Sequence, residues 1–355
     1  MEHGGMAADD ELQRQYFDAG KVYRLQIEST MSCSQLCDYC YAESKPDSPH
    51  GMTSDKVREV LASAAILNVK VIDWLGGDPL ARPDWDTLCK HAIKLGMINN
   101  IWTSGIPLEN PTIAKKAVNL TRGGFLSVHL DSIDTAAYAR VHGDRGVHAD
   151  VKNIDRILRG VRNALAAGKE PGAMVNCITF TKDLVEGEGN ARATMQYFHE
   201  TFGIKTCLTL YKPAARNIKG PVTDWQPTTE QMKETYKFRD TLFPNDPSFG
   251  AMDVTKFYCG SKVCVKSDGW LVPCSVIRTT EFGNVNDARL EVLVDQHRRR
   301  LMFIDFRNQA TMPMKCGDCV NNTVCFGCRS NAFYYSGDVC AADPMCQAYC
   351  KKDQI

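Results

Sequence analysis

A chain of 355 residues has room for one large domain and a smaller one, and its 42 basic and 42 acidic residues cancel to a formal net charge of zero. That balance excludes the basic field on which duplex or single-strand nucleic-acid binding rests. No apolar run reaches the roughly 18 residues of a membrane-spanning helix, so no membrane partner is expected.

Residues 1–22 are polar and acidic and lack a signal peptide's apolar core. Without an export signal, sixteen cysteines read as metal ligands rather than disulfides, and the expected setting is cytoplasmic and oxygen-protected. From residue 23 to 221 short strand-like runs alternate with helical ones. Strands are expected at Tyr23–Ser29, Val69–Leu75, Asn100–Ser104, Phe125–Asp131, Ala173–Phe180 and Cys207–Lys212. Helical stretches fall between them, at Ser54–Leu67, Trp85–Leu95, Thr112–Leu120, Asp155–Ala167 and Ala191–Thr201. Six successive βα units predict an α/β fold, an open, partial (β/α)6 TIM-like barrel with its site at the C-terminal ends of the strands.

Strand alternation sets Arg24, Gln26 and Glu28 against Leu25 and Ile27, and Ser127, His129 and Asp131 against Leu126, Val128 and Leu130. Thr209 and Tyr211 likewise oppose Leu208 and Leu210. With a period of two, the polar faces line the barrel interior, where a packing core would carry branched aliphatics. The expectation is a bound polar ligand; the competing one is a set of internally satisfied hydrogen bonds.

The first strand runs into Met31-Ser-Cys-Ser-Gln-Leu-Cys-Asp-Tyr-Cys-Tyr41, where Cys33, Cys37 and Cys40 have C-x3-C-x2-C spacing. Three thiolates on one short loop converge on a soft-metal centre. They cover only three irons of a four-iron cluster and leave the fourth open to a ligand. Zinc half-sites and redox patches use close cysteines too. At the end of the second strand stands Gly76-Gly77-Asp78-Pro79, where glycines let the backbone approach a ligand closely.

The cysteine loop, with aromatic Tyr39 before its third cysteine, resembles the cluster loop of the radical S-adenosylmethionine (radical SAM) superfamily. The resemblance implies that Cys33, Cys37 and Cys40 hold a catalytic [4Fe–4S] cluster whose open iron chelates the amino and carboxylate groups of SAM. Reductive cleavage then releases a 5′-deoxyadenosyl radical that abstracts a hydrogen from substrate. Gly76, Gly77 and Asp78 resemble the family's Gly-Gly-Glu-Pro motif, which contacts the SAM amino group; Asp78 stands one methylene short of the usual glutamate. Thr103-Ser104-Gly105 resembles the next strand end, Ser127 and Asp131 lie where the family places ribose or carboxylate contacts, and Asn176 lies on a strand that faces the adenosine. His142 and Arg145 read as loop caps, with substrate contact the alternative.

Prolines and Gly250 mark residues 222–258 as a linker, with a helix opened by the capping-box spacing of Thr228-Thr-Glu-Gln231. Residues 259–355 hold ten cysteines. Cys259, Cys264 and Cys274 flank a hairpin turning at Asp268-Gly269, and Cys316-x2-Cys319-x5-Cys325-x2-Cys328 is followed by Cys340, Cys346 and Cys350. The central four alone would make a zinc site, but eight thiolates suit two four-cysteine clusters better. The arrangement resembles the SPASM extension of radical SAM enzymes, which carries two auxiliary [4Fe–4S] clusters. That implies one set of Cys259, Cys264, Cys274 and Cys328 and another of Cys316, Cys319, Cys325 and Cys346, with Cys340 and Cys350 as free thiols or substitutes. Cys89, Cys177 and Cys207 read as buried small hydrophobes, with hydrogen-atom donation the alternative. His297-Arg-Arg-Arg300 reads as the solvated face of a helix, with a nucleic-acid role the alternative.

The resemblance implies three [4Fe–4S] clusters, SAM, an external electron donor of flavodoxin or ferredoxin type, and maturation of a ribosomally made peptide or protein by cross-linking, dehydrogenation or epimerisation. The alternatives are radical modification of a small metabolite, such as a tetrapyrrole propionate or an aminocyclitol sugar, and a non-catalytic zinc or electron-transfer protein. The substrate itself is not legible.

Overall fold

The computed structural model describes residues 10–142, 150–185, 191–212, 225–249, 254–308 and 310–346. Six parallel strands follow in chain order: β1 (Arg24–Thr30), β2 (Val71–Gly76), β3 (Ile98–Trp102), β4 (Leu126–His129), β5 (Met174–Phe180) and β6 (Lys205–Leu210). Each pairs in parallel with the next, and helices cross between them, so the sheet is the partial barrel expected. β6 is one edge. The other is extended by β7 (Lys262–Val265), parallel to β1, and β8 (Leu271–Val272), antiparallel to β7, which leaves the sheet unclosed. Among the described residues no helix is long and apolar enough to cross a membrane.

The crossover helices form where pattern and caps agree. Ser54–Ile66 starts at Thr53, whose hydroxyl accepts from the Lys56 amide at 3.2 Å. It buries Val57, Val60, Leu61 and Ala64, a stripe spaced three and four apart, against Leu25 and Ile27 of β1. Val57, Val60 and Leu61 each contribute about 1.5–3 kcal/mol on burial. Thr228 and Gln231 form the expected reciprocal cap of Thr229–Leu242. The helix Leu290–Leu301 carries Arg298, Arg299 and Arg300, paired with Asp295, Asp305 and Glu281 on its solvated side.

Strand ends shift by one or two residues from the sequence reading, and at two of them a side chain takes over a backbone partner. β3 stops at Trp102 because Thr103 and Ser104 turn to the Asp78 carboxylate. β4 stops at His129 because both backbone groups of Leu130 bind the Asn176 amide, at 3.1 and 3.0 Å. β6 begins at Lys205. A helix at Asp10–Asp18 was not expected in the polar N-terminal segment; it is only nine residues long and is held by Tyr16 and Phe17, which pack on Tyr23 and Phe257.

The polar face of β1 binds protein rather than a ligand. Arg24 donates to Asp73 at 2.7 Å with both side chains fully buried, Ser275 N–H donates to Gln26 at 3.4 Å, and Glu28 pairs with Arg278 and accepts from Ser267 N–H at 3.2 Å. Arg24 keeps its buried Nε and Nη2 without a hydrogen-bond partner among the described residues, its guanidinium lying over the Tyr258 ring at 5.0 Å. For Gln26 and Glu28 the internally satisfied alternative holds. Their partners at Ser267, Ser275 and Arg278 lie in the cysteine-rich segment, which β7 already joins to the barrel sheet.

Candidate active site

The cysteine loop leaves the C-terminal end of β1 and is held by backbone bonds: Cys33 N–H to Lys45 at 3.0 Å, Lys45 N–H to Met31 at 3.2 Å, Cys40 N–H to Cys37 at 3.2 Å and Asp38 N–H to Val141 at 3.0 Å. Leu36 and Glu43 take left-handed conformations, at φ +53° and +55°. Each costs about 1–2 kcal/mol for a residue with a Cβ, strain typical of a functional loop. Cys33, Cys37 and Cys40 are in no disulfide and are partly exposed. Burial, Asp131 and the neighbouring Cys33 and Cys40 push the Cys37 thiol well above its usual range. Three thiolates here repel one another and call for a cationic centre between them, which fits an iron–sulfur cluster. Among the described residues no three His, Cys, Asp or Glu side chains meet at single-ion range, as a tetrahedral zinc site requires.

Gly76 and Gly77 bring β2 against this loop. Gly77 N–H donates to Thr30 at 2.6 Å and Asp78 N–H to Ser32 at 2.7 Å. A Cβ on Gly76, which sits at φ +129°, would stand 2.1 Å from the Thr30 oxygen, and one on Gly77 2.3 Å from that of Ser32. Only glycine permits that approach. The Asp78 carboxylate is buried and turned toward β3: it accepts from the Thr103 hydroxyl at 2.8 Å, from Ser104 N–H at 3.0 Å and from Leu80 N–H at 3.0 Å, besides the Ser104 hydroxyl. Burial outweighs these donors and raises its pKa. Asp78 and Ser104, both expected to meet SAM, thus meet each other and lock β2 to β3.

Beneath the loop lies a polar cluster that sequence reasoning only half found. Asp131, fully buried, accepts from the Tyr39 hydroxyl and from Thr179 N–H at 2.8 Å, with the Nε2 atoms of His129 and His142 each 3.2 Å away. Burial alone would raise its carboxyl, but the two imidazoles hold it well below the usual range. For His129, burial is outweighed by Asp131, and its pKa rises. The Tyr39 hydroxyl also lies 2.7 Å from His129 Nε2, Gln35 donates to the His129 carbonyl at 2.7 Å, and Cys37 forms an antiparallel bridge with His142. Tyr39 and Asp131 are therefore brought together under the cysteines. His129 was visible in the alternation of β4; His142 gave no such signal, and Arg145 lies outside the described residues.

Ser127 shares the interior face of β4 with His129 and is the register partner of Val175. Asn176 does not join it. Its neighbours of like parity, Met174 and Ile178, pack into the helix-side cores, while Val175 and Cys177 pack with Trp102 inside. The Asn176 amide serves the backbone of Leu130.

In the C-terminal segment Cys259, Cys274 and Cys328 line one cavity of about 170 Å³. Burial pushes the Cys259 thiol up to about 12 against the opposing Lys262, with Cys328 and Cys274 adding to the rise; Cys264 is raised by burial, Glu28 and Cys274. The other set gathers separately. Burial pushes Cys325 up to about 12 against a Gly327 N–H donor, with Cys346 and Cys316 adding to it, and Cys319 N–H turns back to Cys316 at 3.2 Å. Asp343 ties the sets, accepting from Cys328 N–H at 2.9 Å and Met345 N–H at 2.9 Å. Cys340 is exposed, and Cys350 lies outside the described residues. Lys262 and Asp343 were not foreseen.

Residues 27–188 match the radical SAM superfamily. The PqqA peptide cyclase of Xanthomonas oryzae pv. oryzae is 24% identical over 350 residues, spanning 90% of this chain and 86% of its own. An AdoMet-dependent heme synthase of Oleidesulfovibrio alaskensis is 25% identical over 359 residues, spanning 90% and 85%. Among solved structures, native anSMEcpe with bound AdoMet and Cp18Cys peptide has a TM-score of 0.68 at 16% identity, covering 92% of this chain and 94% of that one. Streptococcus suis SuiB bound to precursor peptide SuiA has a TM-score of 0.60 at 18% identity, covering 95% and 79%. These structures share the fold.

Proposed function

We propose that this chain is a radical SAM enzyme and that it matures a ribosomally made peptide or protein. The observation that supports this reading is the near-full-length similarity to a cyclase of the PqqA peptide, which spans the cysteine-rich segment as well as the barrel. The fold shared with SuiB, solved with its precursor peptide, agrees with it. In this proposal Cys33, Cys37 and Cys40 hold the catalytic [4Fe–4S] cluster and leave one iron for SAM. When bound, cluster and SAM supply a 5′-deoxyadenosyl radical through one-electron cleavage of a carbon–sulfur bond.

The chain's own residues do the positioning. Gly76 and Gly77 keep the end of β2 against the cysteine loop, so a ligand on that loop meets backbone rather than side chain. Asp78, Thr103 and Ser104 fix the floor, and Tyr39, His129, Asp131 and His142 clamp the loop from below. Ser127, on the interior face, is proposed to contact SAM directly. Cys259, Cys264, Cys274 and Cys328, and separately Cys316, Cys319, Cys325 and Cys346, would hold auxiliary clusters that carry electrons. The reductant would be a protein of flavodoxin or ferredoxin type and the setting cytoplasmic.

Modification of a tetrapyrrole is the second reading, favoured by the heme synthase similarity. One experiment separates them. The anaerobically reconstituted enzyme, given SAM, dithionite and synthetic peptides made from the short reading frames that sequencing finds beside its gene, is expected to yield 5′-deoxyadenosine together with a peptide that has lost a pair of hydrogens or gained solvent deuterium. An unaltered peptide, with loss of propionate carboxyls from a supplied tetrapyrrole, would overturn the peptide reading.

A further inference from the structure

Two cysteines outside the cluster sets stand side by side inside the barrel. Cys177 on β5 is the register partner both of His129 on β4 and of Cys207 on β6. Paired positions share a sheet face, with strands about 4.8 Å apart, a Cα spacing that a disulfide can bridge. Neither is in a disulfide; they are 7% and 9% exposed and pack with Val175 and Trp102 on the interior face. Cys177 Sγ lies 3.7 Å from the Ser127 hydroxyl, on the proposed SAM side. Cys207 lines the cavity that Cys259, Cys274 and Cys328 also line. The pair therefore spans the space between the two proposed redox centres, where a packing residue needs no sulfur.

We propose that Cys177 and Cys207 are a redox-active dithiol that returns a hydrogen atom to the substrate radical. This rests on the radical reading above and deepens it, since returning hydrogen selects epimerisation over cross-linking or dehydrogenation. The Cys207 S–H bond breaks homolytically and a substrate C–H bond forms. Cys177, its proton released to solvent, then bonds to the Cys207 thiyl sulfur. The surplus electron passes to an iron–sulfur acceptor at the neighbouring cysteines, and an external dithiol later reduces the disulfide. Per turnover the pair gives up one hydrogen atom, one proton and one electron, and one S–S bond replaces two S–H bonds.

Two readouts on the reconstituted full-length holoenzyme test this. After mild anaerobic treatment with a dithiol oxidant and alkylation, peptide mapping is expected to find Cys177 linked to Cys207 and Cys89 alkylated. In deuterated water, with SAM and dithionite as the only additions, exchanged thiols should place deuterium in the 5′-deoxyadenosine formed. The deuterium per molecule should fall several-fold in Cys207→Ala and in Cys207→Ser, with iron content as in the wild type reporting an intact fold. An alkylated, unlinked pair, or deuterium unchanged in both variants, overturns the proposal. Absence of any 5′-deoxyadenosine would instead defeat the radical reading, and the peptide map would still decide whether the two thiols form a couple.

Discussion

Cys37→Ala should abolish reductive cleavage of SAM, lowering 5′-deoxyadenosine formation at least about 100-fold, the upper end of what loss of an outer-shell partner costs a metal site. A first ligand matters more than an outer one. Cys37 is also where the loop is pinned, through its antiparallel bridge to His142 and the bond from Asp38 N–H to Val141. Burial, Asp131 and the flanking thiols raise the cost of ionising Cys37 without a cation, so a bound metal gains from a ligand the fold already holds in place. If the chain holds three cubane clusters, iron should drop from roughly twelve per chain to about eight, because both C-terminal sets are untouched. Wild-type iron content and wild-type cleavage in this variant would contradict the assignment of the loop.

Asp131→Asn should be the most destabilising single change in the barrel interior, by about 3–5 kcal/mol, the cost of removing one partner from a buried charged network. The carboxylate lies with two imidazoles, the Tyr39 hydroxyl and a backbone N–H around it, and an amide cannot accept from all of them. The pH dependence has a definite sign. Asp131 titrates lower folded than unfolded, so its contribution is present above the ordinary value of about 3.9 and is lost as pH falls toward the depressed one. His129 titrates higher folded than unfolded, so its contribution is complete below about pH 6.5 and is lost as pH rises through the raised value. Anaerobic denaturant titration of wild type and variant across pH checks both. Asp131→Asn should lose the fall in stability above pH 6.5, and a variant as stable as wild type with an unchanged profile would refute the network.

Much of this molecule was legible in its residues, and the parts that were not have a common cause. β1 to β6 and their helices could be read because alternation and the three-and-four spacing recur over long segments, as in Val57, Val60, Leu61 and Ala64. The cysteine loop stood out because the spacing of Cys33, Cys37 and Cys40 is local, whereas the division of the C-terminal cysteines into two sets rests on the resemblance. What could not be read was whatever depends on contact between distant segments. The polar face of β1 looked like a ligand-binding surface, but its partners are Asp73 and residues some 240–250 positions away. Asp78 was read as a cofactor contact, and a strand-end carboxylate does not reveal that Thr103 and Ser104 also turn toward it. Asn176 was assigned by its strand, yet its parity puts it on the helix side. The register of Cys177 with Cys207 could not be known until β5 and β6 were paired.

The measurement closest to the central claim is electron–nuclear double resonance on the reduced enzyme with SAM labelled at its amino nitrogen and carboxylate oxygen. An iron left free by Cys33, Cys37 and Cys40 predicts hyperfine coupling from both labels in the wild type and none in Cys37→Ala. Tightly bound SAM without coupling to any cluster in the wild type would contradict the account.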